Sequence, residues 1–185
     1  VLAIVGLWGG PYLNDIHGLT GVTRGNVLLA FNLAMLAGVM VYSVAERWLN
    51  SRKWTIGAGG GLSIVLLGIL ALVPDLGLWP AIFLLVLFAL VSAYIMLVHA
   101  HARAVLPDHI VGRGLTLQNL AVFLGVFAIQ AVSGFIIGHF TEGQDASPET
   151  AYRAVFGVLA LLTLGAMVIY LRIRDVRPRE EIGQS

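Results

Sequence analysis

His99 and His101 are the first residues here whose type invites chemistry, because paired imidazoles can hold a metal. Their spacing argues against it. On a helix, positions i and i+2 point to nearly opposite sides, and no carboxylate or thiolate stands beside them. The plainer expectation is two interfacial histidines and no cofactor. A second group is the stretch ERWLNSRKW, with Glu46, Arg47, Arg52 and Lys53 packed between long uncharged runs. An acid and several bases at facing helix ends can form a charge network that holds neighbouring helices in one arrangement and releases them in another. The same residues would be needed merely to fix which side of a membrane the turn occupies. The third group comprises polar side chains inside apolar runs: Asn32, Tyr94, Gln118, Asn119 and Gln130. Such groups must face protein or water, either as interhelical hydrogen bonds or as contacts to a solute. Trp8 and Tyr12, at i and i+4, share a helix face beside Gly9-Gly10-Pro11, where a bend is allowed. They can anchor a helix end at the interface or close over a solute.

The elements that must position these groups follow from composition. Of 185 residues, 58% are hydrophobic and 11% charged, where a soluble domain carries roughly 25% charged residues. That balance predicts an all-α membrane protein in contact with the lipid bilayer. Cysteine is absent, which excludes disulfides, thiolate metal sites and cysteine nucleophiles. Charges divide the chain into apolar blocks at 1–14, 25–45, 54–74, 76–102, 114–141 and 154–171. Five are long enough to span, since a crossing helix needs about 20 residues. The first is shorter, and the chain opens on Val1 rather than methionine. Both features lead to the expectation that it continues an upstream helix. The organisation expected is a six-helix membrane unit over residues 1–171 and a polar, frayed tail over 172–185. Gly-rich and small-residue rows are expected to pack helices closely (Ala30, Ala34 and Gly38; Gly134 and Gly138). Gly57 and Gly59-Gly60-Gly61 predict a locally soft third helix.

Basic residues give the orientation. Sorting the connectors by side places Arg47, Arg52, Lys53, Arg103, Arg113, Arg172, Arg174, Arg177 and Arg179 together, against Arg24 and Arg153 opposite. The positive-inside rule then predicts that ERWLNSRKW and the carboxyl terminus are cytoplasmic in a multi-pass cell-membrane protein. Spans 1–3 and 4–6 begin on opposite sides, which predicts two inverted three-helix repeats, a plan common in transporters.

Those motifs resemble the major facilitator superfamily. Glu46-Arg47 and Arg52-Lys53 resemble the acidic-basic pair and basic cluster of its loop signature. Tyr42 stands where that signature begins with glycine, and Leu49-Asn50-Ser51 occupies the segment of another glycine. Leu7 through Leu13, with Asp15 and Gly18-Leu19, resembles the end of the seventh helix of bacterial members. Arg103, Gly112-Arg113-Gly114, Thr116 and Asn119 resemble the loop between their tenth and eleventh helices. The resemblance covers nearly the whole chain. It implies the carboxyl-terminal half of a twelve-helix carrier in a bacterial inner membrane, with an amino-terminal six-helix half as partner. It further implies solute contacts at Trp8, Tyr12 and Tyr94, then Asn32, Asn119 and Gln130. Gating would fall to Glu46, Arg47, Arg52, Lys53 and Arg113.

Transport of a small polar organic solute by alternating access is the function expected. A membrane enzyme would need convergent acids, histidines or a serine at one depth, and no span core holds Asp or Glu. Proton coupling would therefore rest on a histidine or on residues outside this chain. There is no P-loop and no Gly-x-Ser-x-Gly elbow. No charged ring or pore loop suggests a channel, and nothing suggests nucleic-acid binding. A six-span sensory or structural module is the remaining alternative.

Overall fold

The computed structural model describes residues 8–141, 148–173 and 175. Among them the chain is helical, without strands: α1 (Gly9–Asp15), α2 (Gly21–Leu49), α3 (Arg52–Leu72), α4 (Leu78–Val91), α5 (Ile95–Val105), α6 (Val111–Thr141) and α7 (Pro148–Tyr170). Helices α2, α3, α4 with α5, α6 and α7 are the five long and apolar enough to cross a membrane. With α1 they form an all-α bundle of six helical units. The protein is a multi-pass integral membrane protein. The expected frayed tail falls outside the described residues, apart from Arg172, Ile173 and Asp175.

Local chemistry sets the helix ends. Gly18, at φ +65°, ends α1. Its N–H donates to the Asn14 carbonyl at 2.9 Å, and Leu19 N–H reaches back to the Leu13 carbonyl at 3.0 Å. This reciprocal closure satisfies carbonyls that a helix terminus leaves open. At the far end of α2, Asn50 takes the left-handed conformation at φ 45° and turns the chain. Asparagine tolerates this geometry, so it serves where the resembled signature uses glycine. Ser51 then caps α3, its hydroxyl accepting from Trp54 N–H at 3.1 Å. Pro148 opens α7, with Glu149 in its first turn.

The fourth span is not one regular helix. A 3-10 turn over Ser92–Tyr94 joins α4 to α5, and Ser92 Oγ donates back to the Ala89 carbonyl at 3.0 Å. A tightened turn in mid-helix often marks a hinge, whereas the serine bond to its own preceding turn is the usual arrangement for a hydroxyl in a helix.

Packing relates the two sets of three helices. Helix α3 lies along α7, the third unit of each set. The second unit of the first set, α2, packs on α4, the first unit of the second. Its counterpart is the bond from Trp8 Nε1, which donates to Ser133 Oγ of α6 at 2.7 Å. The contact between α3 and α4 is matched by Trp8 and Tyr12 packing on Tyr152 of α7. These exchanged pairings are those of two inverted repeats.

Glycines decide how close the helices come. A Cβ on Gly38 would fall on the Leu90 carbonyl, and one on Gly60 would overlap Met167. Gly59 makes room for the Tyr42 hydroxyl and the Tyr94 ring. Tyr42, which replaces a signature glycine, is thus accommodated by a glycine on the neighbouring helix. Helix α3 is continuous from 52 to 72, and Gly59 and Gly60 of its glycine run are close-packing surfaces. Gly134 and Gly138 meet nothing within 4 Å among the described residues.

Candidate functional site

A cavity of about 440 Å³ opens beside the break in the fourth span, with walls from α2, α3, α4, α5, α6 and α7. Phe88, Met35 and Leu67 make it largely apolar, while Ser63, Ser92, Tyr94, His99 and Thr163 bring polar atoms to it. Ser63 is 2% exposed, and its Oγ has no hydrogen-bond partner among the described residues. A buried hydroxyl without a partner is costly, and a bound solute could complete it. The Thr163 hydroxyl donates to the Leu159 carbonyl at 2.7 Å, as Ser92 does to Ala89. Both oxygens keep lone pairs able to accept from a ligand. Among the described residues, no Asp, Glu, Lys or Arg lines the cavity. Such a wall suits a small neutral or weakly ionised molecule with both an apolar face and hydroxyl or amide groups.

Tyr94 is the one sequence-predicted contact that lines this cavity. Its ring meets Tyr42 edge-on, with centroids 6.4 Å apart. Asn119, Val122, Val126 and Gln130 follow one stripe of α6 at spacings of three and four, so Asn119 and Gln130 bracket the wall that Val122 and Val126 form. Asn119 is exposed and Gln130 half-buried. Asn32 lies one turn before Met35; it is exposed and donates to the Leu28 carbonyl at 2.7 Å.

Trp8 and Tyr12 lie elsewhere. Tyr12 is 5% exposed and packs edge-on against His17, Tyr152 and Phe156. The Tyr152 hydroxyl donates to Asp15 Oδ2 at 2.6 Å, and Arg153 Nε donates to the Ala71 carbonyl at 2.9 Å. These contacts tie α1, α3 and α7 at the end of the bundle away from ERWLNSRKW. Burial lowers the His17 pKa, against a smaller upward pull from Glu149.

At the opposite end, Arg52 Nε and Glu46 Oε1 form an ion pair at 2.5 Å, both side chains largely buried. Asp175, beyond α7, joins the same turn. Ser51 Oγ donates to its Oδ2 at 2.5 Å and Lys53 N–H to its Oδ1 at 3.0 Å. The clasp thus joins α2, α3 and the segment after α7. Arg47 and Arg113 are exposed. His101, expected to be interfacial, is 2% exposed and bonded through Nδ1 to the Tyr170 hydroxyl.

Sequence reasoning missed Ser63, Ser92, His99 and Thr163 as cavity residues. Isolated serines and threonines in apolar helices usually bond to their own backbone, so their types alone did not distinguish the one that does not.

The sequence profile of the Major Facilitator Superfamily matches residues 2–185. The chain belongs to the major facilitator superfamily. Members of this superfamily are transporters rather than enzymes. Comparison of this facilitator with curated proteins and with solved structures gives no match.

Proposed function

We propose that this facilitator chain forms half of a secondary active transporter that carries a small polar organic solute by alternating access. The observation that carries the reading is the cavity beside the 3-10 turn, where a partnerless Ser63 hydroxyl and Tyr94 share a mostly apolar pocket. Interrupted helices beside a central pocket are a recurring means of exposing polar groups at membrane depth. Tyr94 supplies a ring and a hydroxyl to the solute. Asn119, Gln130 and Asn32 extend the polar surface on either side. Trp8 and Tyr12 act as part of the closure at the far end. Glu46, Arg47, Arg52, Lys53 and Arg113 act at the clasp end, which the excess of basic residues assigns to the cytoplasm together with the carboxyl terminus.

A second six-helix unit is the proposed partner. Among the membrane-crossing helices, α6 and α2 bury the smallest share of their apolar windows, 6% and 17%. Their exposed faces suit either lipid or another helical unit.

The test is a thermal-shift screen of neutral and weakly ionised polar solutes against the whole protein in detergent. A ligand present at 100 times its dissociation constant adds roughly 2.7 kcal/mol of stability. A true solute should stabilise wild type and lose this effect in Tyr94→Ala and Ser63→Val, while both variants still fold. A solute that stabilises both variants as fully as wild type would remove the cavity from the account.

A further inference from the structure

A second cavity, of about 490 Å³, lies at the clasp end between α5, α6 and the end of α7. The His101–Tyr170 bond holds α5 to α7 on one side. Helix α6 forms the other side of a trough walled by Val98, Val105, Leu117 and Ile173. Two features distinguish it from a packing defect. Gln118 also lines it, and the Gln118 Oε1 atom is buried without a hydrogen-bond partner among the described residues. Each of its three helical walls also ends beside an exposed arginine. Arg103 follows the lining residue Ala102, Arg113 precedes Gly114, and Arg172 precedes Ile173.

Charge at this end is unevenly committed. Glu46 pairs with Arg52, and Asp175 accepts from Ser51 and Lys53. On the turn linking α5 to α6, the one acid is Asp108. Among the described residues, three arginines thus stand at the ends of the trough's walls, with Asp108 on the adjoining turn and Asp175, already bonded to Ser51 and Lys53, beyond α7. An apolar space of this size in a membrane protein is filled by something apolar, and the cationic rim selects an anionic head.

We propose that this trough binds one anionic phospholipid from the leaflet facing the clasp. An acyl chain fills the apolar trough. The phosphate interacts with Arg103, Arg113 and Arg172, and a head-group or glycerol hydroxyl donates to Gln118 Oε1. The lipid would brace α6 against α5 and α7 at the end where the clasp operates. This site is separate from the central cavity and stands whether or not the proposed solute is correct.

The experiment is native mass spectrometry of the whole protein after exchange into mixed micelles of phosphatidylglycerol and phosphatidylcholine. Wild type should retain one phosphatidylglycerol in preference to phosphatidylcholine by about tenfold or more, from roughly a kilocalorie per basic residue. The triple variant Arg103→Gln, Arg113→Gln, Arg172→Gln should lose the preference. Ala121→Trp, placed in the trough wall, should lose the bound lipid; Leu117→Trp is the second filling variant should the first not fold. Equal retention of both lipids by wild type, or retention unaffected by filling, would mean ordinary surrounding lipid and overturn the site. Displacement of the lipid by soluble glycerophosphate alone would identify a phosphate site rather than a lipid one and would equally overturn it.

Discussion

At the scale of single residues, unequal burial makes some polar groups costly and leaves others free. His101, 2% exposed, is bonded to the half-buried Tyr170 hydroxyl. Tyr170→Phe removes the hydroxyl to which the buried His101 Nδ1 is bonded, and losing one hydrogen bond costs about 0.5–1.5 kcal/mol; chemical unfolding in detergent should show a loss in that range. His17 works in the opposite sense to a paired histidine. Burial holds its pKa below the ordinary 6.5, so the unfolded chain binds the proton more readily than the folded one. Stability is then complete above about pH 6.5 and falls as the solution is acidified through the window below it. The melting temperature should fall between pH 7.5 and 5.5, and His17→Gln should flatten that dependence. A slope unchanged by the substitution would place the effect elsewhere.

At the scale of elements, close helix approach depends on particular glycines. Gly38→Val drives a side chain into the Leu90 carbonyl, and overpacking costs about 1–3 kcal/mol where nothing can yield. Gly134→Ala meets open space within the chain and should be tolerated, or slightly stabilising, since alanine is the better helix former. Expression and melting temperature of the pair check this. In the clasp, Asp175→Ala removes the acceptor of the Ser51 and Lys53 bonds and should speed proteolysis in the turn at 49–53. The five crossing helices were legible in the sequence because lipid demands long uninterrupted apolar runs, and their ends moved only by a few residues. The break at Ser92–Tyr94 was not legible. Serine and tyrosine carry no breaker signal, and the turn tightens through a serine bond to its own backbone. The ion pair Glu46–Arg52 was foreseeable from charge and spacing. Asp175 was not, because its approach depends on how α7 lies along α3. Tyr94, singled out from its position within a resembled helix, lines the central cavity. Ser63 needed the three-dimensional cavity, since only burial shows its hydroxyl to be partnerless.

At the scale of the whole molecule, the inverted pairings make α3 and α7 a common spine and leave α2 and α6 with broad exposed faces. On the proposed reading, a polar-dotted cavity would be closed alternately at two ends: by the aromatic cluster of Tyr12, Tyr152 and Phe156 at one and by the charged clasp at the other. Replacing Arg52 and Lys53 together by glutamate breaks the Glu46 pair and reverses the local topology signal. It should impair insertion or conformational cycling; unchanged topology with unchanged transport would reduce the clasp to a turn. Under the proposed alternating access, Ser63 lies in a cavity reached in turn from each side of the membrane. The chain contains no cysteine, so Ser63→Cys on a cysteine-free whole protein gives one reporter of nearly the same size. It would be exposed to a membrane-impermeant thiol reagent in right-side-out and in inside-out vesicles. Alternating access predicts labelling from both faces, slowed by a stabilising solute. Labelling from neither face would show a sealed packing position and contradict the account.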